Sequence, residues 1–181
     1  MGAIKIAVAG AGGRMGRMLI ESTIKDEGAE LVAAVDQASQ PSVGKTAGEL
    51  VGLSCDVPVT ADVEAAVAAA DCLIDFTRPQ GTLAHLALCR KHRTAIVIGT
   101  TGFEADGKQA IAEAAKEIPV VFSSNMSVGA NTVFKLLDVA SRILAQGYDI
   151  EIVEAHHRLK VDAPSGTALR MGEIVAKALG R

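Results

Sequence analysis

Gly10, Gly13 and Gly16 recur every third residue where a six-residue apolar run, Ile4 to Ala9, gives way to a helical pattern over Arg14 to Lys25. A strand that turns through glycine straight into a helix has few folds open to it. The helix must lie back against the strand, and a parallel neighbour then has to cover the strand's other edge. The apolar residues suit that arrangement. They make up 49% of the chain, yet aromatics are only 3% and there is no Trp, so the core is built from Ala, Val, Ile and Leu. Such residues fill the space between helices and a sheet buried on both faces.

The rest of the chain repeats the rhythm. Strands are predicted over Leu31–Val35, Cys72–Phe76, Ala95–Ile98 and Val120–Phe122. Helices are predicted over Val63–Ala70, Gly81–Lys91 and Glu104–Glu117. Residues 37–58, rich in Ser, Gly and Gln, read as irregular with at most a short helix. Repeated β-α-β predicts parallel strands joined by right-handed crossovers. After Asn125 the rhythm changes to a long helix over Thr132–Leu144, a strand over Asp149–Glu154 and a final helix over Thr167–Leu179. Val133, Leu136, Leu137, Ala140 and Leu144 form an apolar stripe on the first of these helices. One strand between two helices cannot make a sheet. The expected fold class is therefore α/β: a Rossmann-type parallel sheet over residues 1–125, then the beginning of a second, α+β unit over 126–181, with Ser123-Ser124-Asn125 as the hinge.

The glycine spacing is a variant of the dinucleotide fingerprint, whose strict form would need glycine at position 15. Gly10 suits the tight turn, Gly12 or Gly13 lets backbone approach a pyrophosphate, and Gly16 lets the helix pack close to the strand. Asp36 ends the second strand twenty residues beyond Gly16, near the offset expected for a carboxylate that binds an adenosine ribose. These placements predict a dinucleotide site. A carboxylate at position 36 favours a free 2′-hydroxyl, and the neutral Gln37 beside it adds no charge for a 2′-phosphate. NADH is expected to serve at least as well as NADPH, with Arg14 able to lean over the adenine or a phosphate. Asp75-Phe76-Thr77-Arg78-Pro79 and Gly99-Thr100-Thr101-Gly102-Phe103 follow strands that end on the same edge. Their hydroxyls and amides suit a nicotinamide ribose and carboxamide, although ordinary turns and caps use the same residues.

Near the far end, Glu154 to Ala168 brings together His156, His157, Lys160 and the turn Ser165-Gly166-Thr167. Histidine exchanges protons near neutrality, lysine supplies a cation or an acid, and a helix N-terminus suits a carboxylate. Together they fit an acidic small molecule that is protonated during reaction. Adjacent histidines on an extended chain point to opposite faces and no third ligand stands out, so a metal is not expected. His85 and His92, on or at the end of the Gly81–Lys91 helix, read as surface residues.

The net charge of −3, without a basic block, argues against nucleic acid. Cys55, Cys72 and Cys89 are odd in number and lack a C-x-x-C spacing, so reduced thiols are expected. The opening apolar run is too short to span a membrane and has no charged region before it. A soluble, cytoplasmic protein is expected.

The chain resembles the dihydrodipicolinate (4-hydroxy-tetrahydrodipicolinate) reductase family, enzymes of the diaminopimelate route to lysine in bacteria and plants. The resemblance is carried by Val8 to Gly16, Asp75 to Pro79, Gly99 to Phe103, Ser124 to Gly129 and above all Glu154 to Ala168. It implies a two-domain, homotetrameric reductase that passes a hydride from NADH or NADPH to the ring of a cyclic dicarboxylate imine. By position, His156 matches the family's proton donor/acceptor and Lys160 its proton donor. His157, Gly166 and Thr167 match contacts to substrate carboxylates. Gly10, Ala11, Gly12, Gly13, Arg14, Met15, Asp36, Gly99, Thr100, Thr101, Ser123, Ser124, Asn125 and Met126 match cofactor contacts, and Gln37 stands where many relatives carry Arg. Relatives also continue past the equivalent of Arg181, so a truncated form of the reductase is expected, active or merely cofactor-binding. Homoserine and aspartate dehydrogenases share the glycine loop, but are not expected to show the His-His-x-x-Lys to Ser-Gly-Thr segment.

Overall fold

The computed structural model describes residues 2–158 and 163–181. The chain divides into two compact units, one ending at Ser123 and the other running from Ser124 to Arg181. The first is a six-stranded sheet. Its strands are β1 (Ile4–Ala9), β2 (Ala29–Val35), β3 (Val59–Thr60), β4 (Cys72–Asp75), β5 (Ala95–Ile98) and β6 (Val120–Phe122). They lie in the order β3-β2-β1-β4-β5-β6, every pairing parallel. The helices between them are α1 (Arg14–Lys25), α2 (Ala47–Val51), α3 (Val63–Ala69), α4 (Pro79–His92) and α5 (Ala105–Ala114).

Alternation along β1 explains why a continuous apolar run is needed there. Ile6 and Val8 face one layer with Ile20 of α1 and Ala47 of α2, while Ala7 and Ala9 face the other with Val67, Leu86 and Ile111. Both faces are covered, so neither set of side chains may be polar. The chain leaves β1 for β2 on one side and reaches β4 on the other. That reversal opens a crevice at the carboxyl ends of β1 and β4, where ligands of open α/β sheets bind.

Helix ends follow local chemistry. Thr46 and Glu49 form a reciprocal capping box on α2, whose presence gives the Ser/Gly-rich stretch its one helix. Pro79 occupies the first turn of α4, where its missing N–H is not needed, so that helix starts two residues before the predicted Gly81. The two-residue β3 is too short to leave an apolar signature in the sequence.

The second unit consists of α6 (Val128–Ile143) and α7 (Gly166–Ala178), capped by the Ser127 and Ser165 hydroxyls respectively. Asn125 starts the entry to α6: its Oδ1 accepts the Ser127 N–H at 2.8 Å. The strand expected over Asp149–Glu154 is not formed. The segment has no ladder partner among the described residues, and a lone strand leaves its amides and carbonyls to water. Val153 is 89% exposed. The apolar stripe of α6 is only partly covered, with Val133 and Leu136 exposed.

Candidate functional site

In the first unit the carboxyl edge of the sheet carries an open cavity of about 830 Å³. The glycine turn makes one wall. Gly10 has φ +74, a conformation side chains avoid, and its N–H and that of Ala11 both donate to the Val35 carbonyl, at 2.9 and 3.0 Å. This hitches the turn to the end of β2. Gly16 in the first turn of α1 lies against the Gly10 carbonyl, so any Cβ there would overlap backbone. The start of α1 has neither a side-chain cap nor an acidic residue in its first turn. Its free amides and positive dipole end suit a phosphate.

Asp36 meets this turn from β2. Its Oδ2 accepts the Gly12 N–H and the Ser42 hydroxyl, both at 2.8 Å, and its Oδ1 accepts the Gln37 N–H at 2.9 Å. The carboxylate is thus oriented before any ligand arrives, and a Cβ on Gly12 would sit 2.9 Å from it. Gly10, Gly12, Gly13, Asp36 and Gln37 all line the cavity. Ala11 is buried beneath the turn, whereas Arg14 and Met15 are exposed on the first turn of α1.

The opposite wall comes from the loop after β4 and the start of α4: Phe76, Thr77, Arg78, Gln80, Gly81 and His85. This helix also begins without an acidic residue or a side-chain cap, so a second set of free amides faces the same space. His85 is therefore not a surface residue. Its side chain is 15% exposed and its Nδ1 lies 2.7 Å from the fully buried Asp75 carboxylate. Burial acts to raise the Asp75 pKa, but hydrogen bonds from His85 and Thr77 outweigh it and leave the carboxyl below its ordinary range. The string Asp75 to His85 carries a legible signal, since a buried acid ends a strand and a histidine follows it by ten residues on the next helix. Ser42, inside the irregular stretch, had no such signal.

The loop after β5 divides its roles. Gly99 packs directly on the Phe76 ring, leaving no space for a Cβ. Thr100 is 3% exposed and its hydroxyl is engaged inside the fold, accepting from Thr82 at 2.8 Å, while Thr101 is exposed. Ser123 donates its N–H to the Ile98 carbonyl at 3.2 Å. Ser124 and Met126 are exposed and Asn125 is half-buried.

In the second unit His156 and His157 are both exposed, and Lys160 lies outside the described residues. Glu154 reaches His156 Nδ1 at 3.5 Å through Oε2 and accepts the Ser165 N–H at 2.8 Å through Oε1. One carboxylate thus ties the histidine to the start of α7. Gly166 and Thr167 occupy the exposed first turn of that helix, which contains no acidic residue. Among the described residues no three or more His, Cys, Asp or Glu side chains gather as a metal site, and no helix is long and apolar enough to cross a membrane. The three cysteines are free thiols, and burial pushes that of Cys89 up to about 12.

A parallel sheet in this order, with a glycine turn, an oriented acid and two uncapped helix starts around one crevice, defines a Rossmann-type oxidoreductase domain for a nicotinamide cofactor. The residues fit that group: the Gly12 cradle is closed to any Cβ, and α1 starts beside it with no side-chain cap and no acidic residue in its first turn. The family model "Dihydrodipicolinate reductase, N-terminus" matches residues 4–126, and "Dihydrodipicolinate reductase, C-terminus" matches 129–181. The chain belongs to the dihydrodipicolinate reductase family. A 4-hydroxy-tetrahydrodipicolinate reductase of Dechloromonas aromatica (strain RCB) is 72% identical over 181 residues, covering 100% of this chain and 68% of the relative. One from Aromatoleum aromaticum (strain DSM 19018 / LMG 30748 / EbN1) is 64% identical, covering 98% and 64%. The chain therefore spans about two thirds of the length of these relatives. Among solved structures, dipicolinate-bound dihydrodipicolinate reductase from Paenisporosarcina sp. TG-14 superposes with a TM-score of 0.79 at 29% identity, covering 97% of this chain and 66% of that one. GenD2 from gentamicin A biosynthesis, solved with NAD, shares the fold at a TM-score of 0.54 and 19% identity over 81% of this chain and 40% of that one.

Proposed function

We propose that this chain serves the NAD(P)H-dependent reduction of 4-hydroxy-tetrahydrodipicolinate to tetrahydrodipicolinate, with loss of water. The observation that carries the reading is the match of both halves of one reductase family to a single chain, whose first half forms the dinucleotide cleft. The nicotinamide cofactor, when bound, supplies the hydride. The chain's own residues do the rest. The Gly10–Met15 turn and the start of α1 hold the diphosphate, Asp36 accepts from the adenosine ribose, and the Gly99–Thr101 and Ser123–Met126 segments bound the nicotinamide half. His156 and Lys160 deliver the proton that accompanies the hydride. His157, Gly166 and Thr167 take the substrate carboxylates, for which a histidine and free helix amides are suited.

The first domain, 1–125, is in this reading the cofactor domain, and 126–181 the opening of the substrate and oligomerisation domain. NADH is accepted at least as well as NADPH, because Asp36 puts a fixed negative charge where a 2′-phosphate would lie and Gln37 does not offset it. A homotetramer in the cytoplasm completes the proposal for the full-length protein.

The test is oxidation of NADH and NADPH by the purified chain, with substrate formed in situ by enzymatic condensation of pyruvate with aspartate semialdehyde. Substrate-dependent oxidation supports the proposal. The second reading is a cofactor-binding chain without turnover, favoured by the absence of the strand expected over Asp149–Glu154 among the described residues and by the exposure of Ile152 and Val153. NADH binding with no turnover would select it.

A further inference from the structure

One buried charge has no part in that scheme. Asp75, at the carboxyl end of β4, is fully buried. Its Oδ1 accepts the Thr77 N–H at 2.9 Å and the Thr77 hydroxyl at 2.7 Å, with the Thr100 hydroxyl at 3.5 Å. Its Oδ2 lies 2.7 Å from His85 Nδ1. Thr82 extends the cluster, donating to Thr100 at 2.8 Å and lying 3.3 Å from the Thr77 hydroxyl. The cluster thus joins the loop after β4, the body of α4 and the loop after β5.

A buried carboxylate is an expensive way to join loops, because its charge must be desolvated and then matched by donors. Its distinguishing partner is the imidazole. An ionised carboxylate only accepts, so His85 Nδ1 carries the proton and Nε2 is the ring nitrogen left over. The His85 side chain lines the cofactor cavity, and its Cε1, the ring atom next to Nε2, is 3.9 Å from where a Cβ on the cavity residue Gly81 would stand. A carboxylate that fixes the tautomer and tilt of a histidine is a familiar orienting device.

We propose that Asp75 and His85 are a positioning pair for the cofactor: Asp75 locks the ring through Nδ1, and His85 Nε2 hydrogen-bonds the ribose–diphosphate backbone of the bound dinucleotide. His85 is the contact residue and Asp75 acts through it. Thr100 ties the β5 loop to the same carboxylate, so the cofactor's contacts on β4 and β5 share one frame. The inference rests on the reading of the cleft as a nicotinamide dinucleotide site.

The experiment measures NADH dissociation constants by fluorescence for the full chain and for H85A, H85Q, D75N and the H85A/D75N double variant. One net hydrogen bond corresponds to about five- to tenfold in affinity. H85A is expected to weaken NADH binding by about that factor, and H85Q, which restores a polar atom near Nε2, to recover part of it. D75N should weaken binding in the parent background but add nothing once His85 is Ala, since an effect transmitted through the ring vanishes with the ring. Ring-labelled histidine NMR adds a readout on the unsubstituted chain: saturating NADH should move the His85 Nε2 resonance and leave Nδ1 protonated. If D75N does not fold, the H85A and H85Q affinities and this spectrum decide. Affinity within twofold of the parent for H85A, or a D75N loss undiminished in the H85A background, would overturn the pair while leaving the cleft reading intact. A parent chain that binds neither NADH nor NADPH would overturn the cleft reading, and this inference with it.

Discussion

Adding one methyl group at Gly16 should damage the glycine turn, whereas the same change at Gly172 should stabilise the chain. At Gly16 a Cβ would overlap the Gly10 carbonyl oxygen and stand 2.7 Å from its carbon and 3.0 Å from Ala11 Cα. All three are backbone atoms, so no rotamer change relieves them. Restoring ordinary contact with the carbonyl oxygen moves α1 away from the turn by more than about 1 Å. Overpacking of this kind costs roughly 1–3 kcal/mol, and a backbone clash falls in the upper part of that range. The better helix propensity of Ala offsets about 1 kcal/mol. The net loss for G16A is then about 2 kcal/mol, or a Tm lower by about 4–8 °C for a chain of this size. Gly172 lies inside α7 with nothing within 4 Å of its Cβ position, so G172A keeps only the propensity term, a gain of about 1 kcal/mol. Urea and thermal unfolding followed by circular dichroism measure both. Displacing the start of α1 also misplaces the phosphate-facing amides, and NADH affinity of G16A should fall about tenfold or more. A G16A chain as stable as the parent, with unchanged NADH affinity, would refute the claim that this helix must touch the turn.

Q37R should raise NADPH affinity relative to NADH, since a guanidinium beside Asp36 would offset the carboxylate's repulsion of a 2′-phosphate; an unchanged affinity ratio would place Gln37 away from that position. Asp75 has a folded pKa below its ordinary 3.8, so its contribution to stability is complete above that pH and is lost as pH falls through the lower folded value. Acid unfolding of D75N should therefore lack part of the parent's slope below about pH 4. Cys89 behaves in the opposite sense: with its thiol raised from 9.0 to about 12, it favours the folded state below pH 9 and loses that contribution as pH rises towards 12. Native Cys89 should accordingly resist alkylation at pH 8, measured by mass spectrometry, until the chain is unfolded. H156A should lower turnover of an active preparation by about 100-fold or more and leave NADH affinity nearly unchanged; a large loss of cofactor binding would contradict a proton-transfer role.

What could be read from the sequence depended on whether the governing interaction was local. The strand, turn and helix from Ile4 to Lys25 are set by alternation, glycine spacing and apolar periodicity within one stretch, and the sequence reading places their ends where the structure does. Asp36 was legible because one crossover fixes its distance from the turn. The same local reading failed at Asp149–Glu154, where apolar composition suggests a strand but a strand exists only through a partner, and none pairs with it among the described residues. It also failed at His85, read as a surface residue, and it placed Thr100 in a cofactor loop without foreseeing its buried hydrogen bonds. Each is ordinary within its own segment, a histidine on a helix and a threonine in a turn. Their roles come from Asp75, ten residues before one and 25 before the other, which the parallel register of β4 and β5 brings beside both. A polar cluster assembled from the two ends and the helix of one crossover leaves no periodic trace. What exposes it is the cost of burying an acid at the end of a central strand, which makes a donor obligatory. A search for that donor along the next helix and the neighbouring loop leads to His85 and to the Thr100 hydroxyl.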